Sequence, residues 1–170
     1  MHQTFHPNYI DFFAFFNGNQ DYFECHEVLE ELWKEVGPGI KDHTLVGFVQ
    51  IATGLYHWRR NNFRGAEKSL TKGLSIIKKK DECKYLLPIL YDNFIKDAQT
   101  ALQNCKARCN FKAFKIGFQS KKLEHLVESR INQLPKQEAA FISNKHMLRD
   151  RSEIIQTRKD QLKLRQNLRT

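Results

Sequence analysis

The 170-residue sequence has no run approaching the roughly 20 apolar residues of a membrane-spanning helix, which speaks against an integral membrane protein. Its opening, with His2, His6, Pro7 and Asp11, lacks a basic start followed by an apolar run and does not read as a secretory signal. An intracellular protein is the expectation. Cysteine is scarce: Cys25, Cys83, Cys105 and Cys109 include no CxxC pair, and the last two are spaced like neighbours on a helix. Reduced, structural thiols fit that pattern better than a disulfide framework. There is also no internal repeat.

Charge is present but uneven. Residues 1–105 carry 12 Lys/Arg and 13 Asp/Glu, whereas residues 106–170 carry 16 and 6, so the net charge of +9 belongs to the C-terminal third. This split predicts a near-neutral helical domain over 1–118 and a basic extension over 119–170.

The apolar periodicity is helical throughout. A Phe-rich helix is expected over Asn8–Phe16, broken by Asn17-Gly18-Asn19, and a second from about Asp21 to Val36, ended by Gly37-Pro38-Gly39. A third, about Asp42 to Asn61, is apolar nearly all round and therefore central. Ala66, Leu70, Leu74 and Ile77 mark a fourth that ends in Lys78-Lys79-Lys80, and Tyr91 to Cys105 a fifth, following Pro88. Phe111, Phe114, Ile116 and Phe118 would cover one end. Leu123, Leu126, Val127, Ile131 and Leu134 give one more amphipathic helix before Pro135, and the chain from Lys136 onward reads as a marginal helix or disordered tail. The fold class is all-α, a bundle or array of about five helices with a basic, partly helical extension.

Within the second helix, Tyr22, His26, Leu29, Trp33 and Val36 share a stripe, which puts His26 amid apolar residues and Glu30 at their border. On the third, Gln50, Gly54, His57 and Asn61 form a polar strip beside Gly47, and this strip is expected to face the His26/Glu30 edge. The candidate polar cluster is His26, Glu27, Glu30, Gln50, His57 and Asn61. His26, Glu30 and His57 are a donor set suited to a divalent metal, or Glu30 could orient an imidazole acting as a base. The plain alternative is a His–Glu hydrogen bond across two packed helices that fixes their register without chemistry. The spacing is not HExxH, because Glu30 stands where the second histidine belongs. No Glu-x-x-His occurs, so a di-iron carboxylate site is unsupported.

Arg59, Arg60 and Arg64 are candidates for anion binding, or a solvated helix end. Trp33 and Trp58 suit a core better than a ligand platform, and Glu24, Glu27, Glu31 and Glu35 suit a solvated face. Residues 121–170 could bind nucleic acid through phosphates, although no helix-turn-helix or zinc-finger pattern occurs there. A solubilising or partner-binding extension is the alternative. The aromatics of the first helix offer a surface for a homo-oligomer.

Three stretches carry a family resemblance: Asp21 through Trp33, Gly47-Phe48-Val49-Gln50-Ile51-Ala52, and His57-Trp58-Arg59-Arg60-Asn61 followed by Gly65-Ala66. Over about residues 8–80 the chain resembles the domain of unknown function 309 family of bacterial and plastid proteins. The resemblance implies a compact all-α fold without an established activity, and motif positions at His26, Glu27, Glu30, Trp33, Gln50, His57, Asn61 and Gly65. The Lys-, Asn- and Phe-rich usage is similar to that of AT-rich bacterial or plastid genomes, which suggests cytoplasm or, alternatively, plastid stroma.

Overall fold

The computed structural model describes residues 6–79 and 83–148. Among them are seven α-helices rather than about five: α1 (Pro7–Ala14), α2 (Tyr22–Val36), α3 (Thr44–Arg59), α4 (Phe63–Lys78), α5 (Tyr91–Lys106), α6 (Lys121–Ile131) and α7 (Ala139–Leu148). The two beyond the expected count lie in the extension that was expected to be partly helical, and each buries little: Leu123 and Val127 from α6, Ile142 from α7. Residues 149–170, the last 22 of the 52 in the expected basic extension, lie outside the described residues.

The first helix does not break at Asn17. It runs on as a π-turn over Phe15–Asn19 and stops at Gln20, whose φ is 56°. The wider turn brings Asn17 into the core, where its amide donates to the Ile116 carbonyl and accepts from the Ile116 N–H, each at 2.8 Å. That clamp secures the extended segment before α6 and satisfies groups that would be costly to bury unpaired. Tyr9, Phe12, Phe13 and Phe16 are all fully buried. The aromatic surface expected to serve a homo-oligomer is therefore inside this chain, because Phe48 from α3 and Phe118 pack edge-on or tilted against it.

Helix α3 lies between α2 and α4, which explains why it is apolar nearly all round. Its glycines serve the α4 side. A methyl at Gly54 would stand 2.6 Å from Leu70 Cγ, and one at Gly73 of α4 would stand 2.9 Å from the Gly47 carbonyl oxygen. The close approach needs small residues on both helices. Trp58 is fully buried, with its indole N–H donating to the Cys109 carbonyl at 2.9 Å. All four cysteines are free thiols.

Candidate functional site in the groove between the second and third helices

Helix α2 starts at Asp21, whose side chain accepts from the Glu24 N–H at 3.1 Å. Its buried face is Tyr22, Cys25, Leu29 and Leu32. This stripe is rotated from the expected one: Cys25, small enough for α1 to come close, takes the central place, with its thiol 3.5 Å from the Phe12 carbonyl. His26 is moved to the rim and its side chain is 37% exposed. There it bridges two carboxylates, with Nδ1 3.2 Å from Glu27 Oε1 and Nε2 3.2 Å from Glu30 Oε2. The Glu27 hydrogen bond outweighs partial burial and, with Glu30, raises the imidazole pKa above its ordinary value. Glu30 also holds Lys34 at 2.8 Å.

The His26–Glu30 edge opens onto a groove of about 380 Å³ between α2, α3 and α4. Trp33, Val46 and Val49 form its apolar wall, and His26, Glu30, Gln50, Lys41 and Lys72 supply polar groups. Trp33 is half-buried rather than core, and its N–H donates to the Ile40 carbonyl at 3.0 Å, which fixes the ring plane. Among the described residues, Lys41, Lys72 and the Gln50 amide make no hydrogen bond or ion pair of their own. The sequence pointed to His26, Glu30 and Gln50. It did not point to Lys41 and Lys72, since single lysines in a loop and on a helix carry no pattern.

His57 stands elsewhere. Asn62 Nδ2 lies 3.1 Å from its Nδ1, so the imidazole accepts there and carries its proton on Nε2. Burial first, and Arg60 second, lower its pKa. Asn62 also caps α4 by accepting from Gly65 N–H at 3.1 Å, and a methyl at Gly65 would press on that amide at 2.7 Å. Asn61 is exposed and ends α3 in a left-handed turn, φ 58°. Its N–H bonds to Trp58 O and that of Asn62 to His57 O, the pair of bonds that closes a helix C-terminus. The structure thus joins His26, Glu27, Glu30 and Gln50 at the groove, sets Asn61 apart, and places His57 outside the groove in an adjoining cavity that it shares with His26 alone of these. Among the described residues, no three His, Cys, Asp or Glu side chains are grouped to hold a metal ion.

The three arginines also diverge. Arg59 reaches under α7, donating to the Gln20 carbonyl at 2.9 Å with its guanidinium 5.1 Å from the Tyr22 ring centroid. Arg60 borders a separate small cavity. Arg64 lies on the open outer face of α4 with Lys68 and Lys72.

An all-α chain with a half-exposed His–Glu pair beside a tryptophan-walled groove is the class that fold and site define. The chain belongs to the family described as a domain of unknown function (DUF309), whose model matches residues 9–69. It is 31% identical over 168 residues to the uncharacterized protein YpuF of Bacillus subtilis (strain 168), covering 95% of this chain and 97% of that protein. No solved structure matches the chain. Within the described residues, no helix is long and apolar enough to cross a membrane.

Proposed function

We propose that the α2–α3–α4 groove binds a small anionic ligand with an apolar body, a phosphate monoester being the class that fits best. The observation that carries this reading is the unspent cation pair: Lys41 and Lys72 line one groove with the Trp33 ring and have no ion pair among the described residues. Two ammonium groups suit a dianion, Gln50 offers an amide donor, and Trp33, Val46 and Val49 accept the apolar part. His26 adds a third positive charge when protonated, against the single carboxylate of Glu30 in the lining. Affinity should therefore tighten as pH falls through the raised His26 pKa.

Phenyl phosphate followed by tryptophan fluorescence tests this reading. The expected result is saturable quenching that disappears in Trp33→Phe and weakens by about tenfold in Lys41→Ala/Lys72→Ala. Inorganic phosphate should bind more weakly, because it leaves the apolar wall uncovered. Undiminished binding in the double lysine variant would refute the assignment. We infer a cytoplasmic setting, with plastid stroma as the alternative; the bacterial source of the relative supports the first.

A further inference from the structure

A second cavity, of about 200 Å³, lies between α2, α3 and α7 and shares only His26 with the groove. Tyr22, Phe23 and Tyr56 give it aromatic walls, while Arg60, His57 and His146 supply nitrogen donors. None of its lining residues is Asp or Glu. The nearby acids are already engaged, since Lys145 of α7 sits 2.7 Å from both Asp21 Oδ2 and Glu24 Oε1.

Two polar groups on residues that line this cavity lack partners among the described residues. The Tyr22 side chain is fully buried, yet its hydroxyl makes no hydrogen bond. The Arg60 Nε is buried and unbonded as well, and its guanidinium makes only a 4.0 Å contact with Met147 Sδ and lies 5.6 Å from the Tyr56 ring centroid. A buried hydroxyl and a buried guanidinium Nε left unpaired each cost free energy that a bound acceptor would recover.

We propose that this cavity is a second ligand site, taking a small monocarboxylate with an apolar body through the Arg60 guanidinium and the Tyr22 hydroxyl. One arginine fork matches one carboxylate in plane and charge. The aromatic walls receive the apolar body, and the volume, below the roughly 300–1,000 Å³ of sites for drug-sized molecules, keeps the occupant small. Burial holds the Tyr22 phenol protonated, so it donates to the carboxylate rather than repelling it. His57, lowered by burial and by Arg60, stays neutral at physiological pH and adds no charge.

Benzoate is the probe, measured on the full chain by saturation-transfer NMR and calorimetry. Expected are one saturable site, about tenfold weaker binding in Arg60→Gln and several-fold weaker binding in Tyr22→Phe. Tyr22→Phe removes one unpartnered oxygen and should leave melting unchanged or slightly raised, which separates lost binding from lost folding. Arg60→Lys, which keeps the charge and loses the fork, should weaken binding too and serves if Arg60→Gln misfolds. Lys41→Ala/Lys72→Ala should leave benzoate affinity intact, so the two sites fail independently. No saturable benzoate signal at millimolar concentration, or full affinity in either the Arg60 or the Tyr22 variant, would overturn the proposal.

Discussion

His26 and His57 look alike in the sequence and behave oppositely in the fold. His26 sits between two carboxylates and its pKa is raised, whereas His57 is partly buried beside Arg60 and its pKa is lowered. For His26 the folded value lies above the unfolded one of about 6.5, so its contribution to stability is complete below that pH and is lost as pH rises through the folded value. For His57 the folded value lies below, so its contribution is complete above about pH 6.5 and is lost as pH falls through the folded value. NMR titration of the ring protons should show the two midpoints on opposite sides of the unfolded value. In Glu27→Gln the His26 midpoint should move down, because the strongest cause of its elevation is removed; an unmoved midpoint would reject the Glu27 bond as that cause. The histidines themselves were legible in the sequence. Their charge states were not, since each depends on which neighbours the helix rotation delivers.

At the scale of elements, Gly47 and Gly54 at the α3–α4 contact leave less room for an added methyl than any other glycine among the described residues. Ala in place of Gly normally stabilises a helix by about 1 kcal/mol. At Gly73 the added methyl would meet backbone, the Gly47 carbonyl oxygen, at 2.9 Å, and Ile51 side-chain carbons at the same distance. Overpacking of this kind costs about 1–3 kcal/mol. Gly73→Ala should therefore lower the denaturation midpoint despite the better propensity, as read in a urea titration. In the sequence, Gly54 belongs to the polar strip of the third helix and Gly47 stands beside it, and that strip was expected to face the His26 edge of α2. Gly47 and Gly54 instead meet Ile77 and Leu70 of α4. Helical periodicity tells which residues share a face, not which neighbour that face meets. The same limit explains the one-residue rotation of α2: Cys25 and His26 both border an apolar stripe, and the close approach of α1 selected the smaller and less polar one.

Across the whole molecule, α7 is held mainly by polar contacts. It buries Ile142 alone, bends at Asn144 (φ −120°, ψ 17°) and leaves Met147 and Leu148 more than half exposed. Its attachment is Lys145 on Asp21 and Glu24, and His146 on Tyr56, whose hydroxyl is 2.7 Å from Nδ1. Asp21 is fully buried, and removing one partner of a buried pair costs about 3–5 kcal/mol. A segment with so little apolar burial opens by itself before the core does. Lys145→Met should thus speed hydrogen exchange across α7 while protection in α3 changes little; equal loss of protection in both helices would contradict local opening. A cut drawn after residue 118 follows the charge composition. Burial continues past it, through Leu123, Val127 and Ile142.

The amino-acid pattern by itself determined that the chain is helical, that α3 is central, where α2 through α5 begin and end to within a few residues, and that His26 and Glu30 are partners one turn apart. These are local matters of periodicity, caps and glycine breaks, and they need no knowledge of what packs on what. Tertiary structure decided the rest: that Lys41 and Lys72 join His26, that His57 turns to Asn62 instead, and that α7 closes over Tyr22 and Arg59. Each of these depends on helix rotation and on contacts between residues far apart in the chain. Side chains of one type then acquire different charges and partners according to the depth at which packing leaves them.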